Sequence, residues 1–194
     1  MRIGRHGGGG LEKDRLRSEL DEILKADMDR VPICGAACQK ANEKTCSRHC
    51  PDIPQALSSD PQRHPLETRI APLVFELKRL GVFEPCWSCE GHNRPDGSFW
   101  KLPQVWFYCR SVVHLRVLAD GVKELHVAGK LSVPWQVAIT FSDGDNVDTT
   151  FSLHPVIDPA NVHLAALQSD IDSIAAHLSD QVFAEALRLS RQVG

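Results

Sequence analysis

Apolar residues recur at helical spacing over residues 11–29, where Leu11, Leu16, Leu20, Ile23, Leu24 and Met28 stand among charged positions. The pattern predicts an amphipathic helix that ends before Pro32. Periodicity then disappears for some thirty residues, punctuated by Pro51, Pro54, Pro61 and Pro65, and little there can pack as regular structure. It returns over residues 66–80, where Ile70, Leu73, Val74, Leu77 and Leu80 make one apolar face, Pro72 is placed to kink or restart the helix, and Gly81 marks its stop. A strand is expected near residues 83–90 and a second at 104–109 (Gln-Val-Trp-Phe-Tyr-Cys). Ser111 is placed to cap a helix carrying Val112, Leu115, Leu118, Val122 and Leu125 to about Gly129. Trp135, Val137, Ile139 and Phe141 alternate with Gln136, Ala138, Thr140 and Ser142, the clearest strand signal in the chain. Asp143-Gly144-Asp145-Asn146 turns it, residues 147–154 return as its partner, and Asp158-Pro159 opens a long helix with Leu164, Leu167, Ile171, Ile174, Leu178, Val182 and Leu187 on one face.

This order predicts an α+β fold: a mainly antiparallel sheet of about four strands with helices on one face, plus an N-terminal helix and a Cys-rich irregular segment. The strands and helices follow a rough β-β-α-β-β-α order without a repeat at the level of residues. The expected division is a disordered Gly-rich tail at 1–10, an N-terminal helix and Cys-rich segment at 11–62, and the α+β domain at 63–194.

Composition adds little to this and excludes several classes. The chain has 194 residues, 42% of them hydrophobic, enough for a sizeable core. Positive charge at Arg2 and Arg5 is followed by Gly7 to Gly10 and no apolar run, unlike a secretory leader, and no stretch approaches a membrane span. The expectation is a soluble cytoplasmic protein, with no membrane partner. A formal net charge of −3 and a pI of about 6.3 disfavour nucleic acid, leaving a protein partner or a small-molecule ligand.

The candidate chemistry lies in the seven cysteines. Cys34, Cys38, Cys46 and Cys50 follow a Cys-x3-Cys, seven-residue spacer, Cys-x3-Cys layout that fits four thiolates around one structural zinc ion, with His49 able to replace one of them. Two disulfides in an oxidising compartment, or unligated thiols in a loop, fit the same spacing. Pro85-Cys86-Trp87-Ser88-Cys89-Glu90-Gly91-His92 supplies a second group: Cys86, Cys89 and His92 as metal ligands, Cys109 on the adjacent strand as a fourth, and Glu90 or Asp96 as general base for a metal-bound water. Zinc is the expected ion; iron or an iron–sulfur cluster is the alternative.

Better-known motifs come close without fitting. The zinc deaminases combine H-x-E with a later P-C-x-x-C; residues 85–89 match the second half, but His64-Pro65-Leu66-Glu67 has one residue too many for the first, so that activity is not carried over. Thioredoxin-like proteins open a helix with C-x-x-C, which Gly91, Pro95 and Gly97 prevent here. His154, Asp158 and His163 cluster before the last helix, where Asp158 is expected to cap it. His114 and His126 are expected to face water. Trp87, Trp100, Trp106 and Trp135 are either core or the lining of a pocket beside the cysteines.

The leading expectation is a zinc-binding accessory or binding module of unknown reaction. A metal-dependent hydrolase centred on Cys86, Cys89 and His92 with Glu90 as base is the alternative, and a thiol redox protein using Cys86 and Cys89 is a third reading.

Overall fold

A computed structural model of the chain describes residues 10–34, 66–140, 149–158 and 162–193. In chain order these form α1 (Gly10–Leu24), a 3-10 turn (Met28–Arg30), α2 (Ala71–Arg79), β1 (Glu84–Cys89), β2 (His92–Asn93), β3 (Phe99–Lys101), β4 (Gln104–Tyr108), α3 (Val112–Val127), β5 (Trp135–Thr140), β6 (Thr150–Pro155) and α4 (Leu164–Val193). Strands β1, β4, β6 and β5 make one antiparallel sheet in that spatial order, and β2 pairs with β3 in a separate ribbon inserted between β1 and β4. The α+β class and the antiparallel sheet are those the pattern predicts.

Register explains which side of the sheet is buried. Residues directly opposite on antiparallel strands point to the same face, so Val105 with Leu153, Phe107 with Phe151, and Val137 with Leu153 share one side. Val105, Phe107 and Leu153 are fully buried in the same core as the apolar stripes of α2, α3 and α4. Trp106 with Ser152, and Gln136 with His154, take the other face. Within the helical layer α4 packs on α1, α2 and α3, while α2 meets β1 and α3 meets β5. Leu20 and Ile23 of α1 belong to the same core.

The stripe on α4 shows why the helix holds its place. Leu167, Ile171, Ile174, Leu178, Val182, Ala186 and Leu189 recur three or four residues apart and are all buried, each large apolar side chain contributing about 1.5–3 kcal/mol by leaving water. Polar groups on buried faces find partners. Glu76 of α2 accepts from the Arg79 guanidinium and from the Ser179 hydroxyl of α4. Asp170, only 3% exposed, accepts from the Ser132 N–H at 2.8 Å, the Ser132 hydroxyl at 2.9 Å and the Trp135 indole N–H at 3.1 Å. One carboxylate of α4 thereby fixes the chain entering β5.

Element ends differ from the sequence reading for identifiable reasons. α1 stops at Leu24, because Asp27 turns the chain by accepting the Asp29 N–H at 3.2 Å. α2 begins at Ala71 with Pro72 in its first turn, where a missing N–H costs nothing; residues 66–70 form a turn ahead of it. α3 starts where Ser111 predicts, its hydroxyl accepting the Val113 N–H at 3.0 Å. α4 begins at Leu164, with the His163 carbonyl accepting from Ala166 and Leu167, so Asp158 lies ahead of the helix rather than at its cap. His114 is a correction: it is 2% exposed, not water-facing, with Nε2 2.6 Å from the Glu19 carbonyl. The turn at 143–146 lies outside the described residues, as do Cys38, His49, Cys46 and Cys50.

Asp170→Ala removes the acceptor for four donors at once, two of them buried, and is expected to lower stability by about 2–4 kcal/mol, with Asp170→Asn losing less. Urea denaturation followed by circular dichroism measures both; equal stability of Asp170→Ala and the parent would contradict this account of the α4–β5 junction.

Candidate metal centre

Three side chains from two parts of the chain converge where β1 ends. Glu67 lies in the turn before α2, anchored on either side by Leu66 and Ile70, which are 1% and 0% exposed. Cys89 is the last residue of β1, paired with Gln104 of β4 and wholly buried. His92 opens β2, across from Lys101 of β3. One ligand atom from each of Glu67, Cys89 and His92 lies within 4.8 Å of the others, a group that could hold a metal ion. Carboxylate oxygen, thiolate sulfur and imidazole nitrogen are the donors that zinc accepts.

The chain runs on from Cys89 to His92, passing from the β1–β4 pairing to the β2–β3 pairing through Gly91, whose φ is 85°. A Cβ there would stand 2.6 Å from Leu164 Cδ1 and 2.9 Å from Pro103 Cδ. Only glycine fits between the start of α4 and the strand entering β4.

Two carboxylates then clasp the two loops to each other. Glu67 Oε2 accepts the Glu90 N–H at 2.8 Å, and Glu90 Oε2 accepts the Arg69 N–H at 2.9 Å. Gln168 of α4 donates from Nε2 to the Glu90 carbonyl at 3.3 Å. The remaining oxygen of Glu67, Oε1, lies 2.9 Å from His92 Nε2. Around a tetrahedral zinc ion, oxygen and nitrogen ligands stand about 3.3 Å apart for bonds near 2.0–2.1 Å, so a small opening of this pair admits the ion.

The residues expected from the sequence are thus distributed unevenly. Cys89 and His92 meet, and their third partner is Glu67. Cys86 does not join the group among the described residues. It is the unpaired residue at the irregularity between Pro85 and Trp87 in β1, and three residues of extended chain carry it roughly 10 Å from Cys89. Burial, with a smaller contribution from Glu84, pushes its thiol up to about 11. Cys109 lies five residues beyond Gln104, the partner of Cys89, roughly 16 Å along the sheet; its thiol donates to the Ser111 carbonyl at 3.3 Å, and burial raises its pKa. Glu90 is in the loop, but its carboxylate is engaged by Arg69. Asp96 is exposed in the β2–β3 turn, accepting from the Ser98 N–H at 2.9 Å and hydroxyl at 2.6 Å, which hold its carboxyl below the usual range. Cys34 is half-buried at the edge of the core, and Cys38, Cys46 and Cys50 are outside the described residues.

Glu67 is the member that spacing arguments did not select as a ligand. Its signal was an acidic residue between Leu66 and Ile70, apolar positions that draw the turn into the core. The tryptophans divide: Trp135 is core, Trp87 and Trp106 pack at 4.9 Å between centroids, and Trp100 stands beside His92 at 6.0 Å. His154 is held by Ser152 and Gln136 on the sheet, and His163 precedes α4.

Fold and site define an α+β protein with a candidate Glu/Cys/His metal-binding group, in which no described helix is long and apolar enough to cross a membrane. Comparisons with protein-family models, with curated proteins and with solved structures found no match for the chain.

Gly91→Ala is expected to strain the loop, costing about 1–3 kcal/mol, and to weaken metal uptake by about tenfold or more as His92 swings away from Glu67. Thermal melts and a zinc competition assay read the two effects; unchanged zinc affinity would contradict the role given to this turn. Cys86 should react with iodoacetamide at pH 8 about a hundredfold more slowly than an ordinary thiol, its rate still rising with pH beyond 9 towards its pKa of about 11. Peptide mapping after timed alkylation checks this, and labelling of Cys86 at the rate of free cysteine would refute it.

Proposed function

We propose that this protein is an intracellular zinc-binding module whose ion is held by Glu67, Cys89 and His92. The supporting observation is the convergence of these three donor types, within 4.8 Å, from a turn, a strand end and a ribbon that are already tied together by hydrogen bonds. Zinc suits a mixed oxygen, sulfur and nitrogen set, whereas an iron–sulfur cluster asks for more thiolates than this group supplies. Cys86 and Cys109 are free thiols, as expected of a reducing compartment such as the cytoplasm. The ion would sit on side chains already tied together by hydrogen bonds, which favours a binding or accessory role.

A hydrolytic reading has one observation in its favour: the His92 side chain is 31% exposed while Glu67 is 8% exposed, so water can approach the ion from one side. A metal-bound water would then be the nucleophile. Glu90 as its base is poorly supported, because its carboxylate is turned to the Arg69 N–H. The thiol redox reading is weakened by the extended strand between Cys86 and Cys89 and by the raised pKa of Cys86.

The purified chain is expected to retain zinc at this centre, measured by mass spectrometry of the metal, and its cobalt form to show thiolate-to-cobalt absorption. Cys89→Ser should abolish that absorption from this centre and, like His92→Gln, lower affinity at least tenfold. Cys46→Ser, in the other cysteine group, should leave it intact. Retention of the same metal content and cobalt spectrum by Cys89→Ser and His92→Gln would remove the proposal.

A further inference from the structure

We infer that the ion-loaded centre takes a small planar carboxylate as ligand, its carboxylate on the ion and its ring against Trp100; this rests on the zinc reading above. Among the described residues the group contributes three protein donors, and a tetrahedral ion with three protein donors takes its fourth from elsewhere. The approach has a direction. Cys89 is wholly buried and Glu67 nearly so, while the His92 side chain is about a third exposed, so an incoming donor passes His92.

Beside that entry stands Trp100, 57% exposed. Its ring is 6.0 Å from that of His92, tilted by 48°. A large aromatic surface left in water next to a ligand histidine is a ready stacking partner for a flat group. Lys101 lies directly across the ribbon from His92, and its ammonium sits 4.7 Å from the centroid of the Trp100 ring.

Charge selects the donor. A divalent ion with one carboxylate and one thiolate is neutral overall, and the Lys101 ammonium stands beside the Trp100 ring at the entry. An anion is drawn to both the ion and the ammonium, and a cation is repelled by both. Trp100 stands next to His92 on the same ribbon, so a ring bearing its carboxylate directly, as in benzoate, is the compact choice. An aromatic residue at a peptide terminus sets its ring two bonds further from the carboxylate and adds bulk at the intervening carbon.

The experiment uses the full chain loaded with cobalt, after its metal content has been measured. Benzoate should shift the visible cobalt spectrum saturably, while cyclohexanecarboxylate, of equal charge but not flat, and benzamide, flat but uncharged, should bind several-fold more weakly. N-acetylphenylalanine tests a peptide terminus as the source and should also bind more weakly. Trp100→Ala should keep its cobalt and weaken benzoate by about 2- to 10-fold; Lys101→Gln should weaken it by about 2- to 5-fold, with the loss shrinking as salt is raised. A cobalt-loaded chain indifferent to benzoate, or a Trp100→Ala form that binds it unchanged, overturns the inference and leaves the zinc reading standing. Equal binding of the three small ligands, or preference for N-acetylphenylalanine, overturns the free aromatic acid as ligand. A chain that takes up no metal overturns both readings together.

Discussion

A buried carboxylate has to find donors within the protein or forfeit its solvation, and the Glu67 side chain finds them on the far side of a loop crossing. Its Oε2 is tied to the Glu90 N–H and its Oε1 to His92, while Glu90 returns the contact to Arg69. The exchange is reciprocal, carboxylate to backbone in each direction. Two loops that share no secondary structure are thereby held in one register. Every distance in the metal group depends on that register, because Glu67 alone comes from the helical side of the molecule and Cys89 and His92 come from the strands.

The clasp is supported from α4. Gln168 donates to the Glu90 carbonyl beyond β1, and Asp170, two residues on, gathers Ser132 and Trp135 at the start of β5. β1 and β5 are the two edges of the sheet. With each strand antiparallel to its neighbours, the end of β1 and the start of β5 lie at the same end of the sheet. The first two turns of α4 therefore span that end and fix both margins. Leu164, against Gly91, begins the same span. Core packing along the rest of α4 is what gives these polar contacts a rigid base, since its buried stripe continues to Leu189.

Elements with a strong internal signal were legible from the sequence. Ser111 marked the start of α3 and Gly81 the stop of α2, because capping chemistry acts over one or two residues and needs no tertiary partner. Alternation identified β5 for the same reason. The β2–β3 ribbon was not legible beyond its turn: strands of two and three residues carry too little periodicity to register. The site was half legible. Cys89 and His92 stand in one short motif, but the C-x-x-C spacing suggested a knuckle with both thiols inward, and the extended backbone of β1 separates them. Glu67 entered from more than twenty residues away through Leu66 and Ile70, whose burial places it. Nothing local in the chain announces such a contact.

The geometry of the group also bears on what kind of metal site it could be. In the 2.9 Å bond between Glu67 Oε1 and His92 Nε2, a proton lies between the two atoms, where an ion would otherwise bind. Proton and metal are thus alternatives at one position, and the hydrogen-bonded form already satisfies the buried carboxylate. Small metal domains that unfold without their ion lack this second solution, since their ligands have neither a core nor each other to rely on. Here the core beneath the site runs through Leu66, Ile70, Val105 and Leu167 irrespective of any ion. With that core and each other to rely on, the three side chains would not need an ion to keep their places, which suits the group better to binding an ion than to holding the chain together through one.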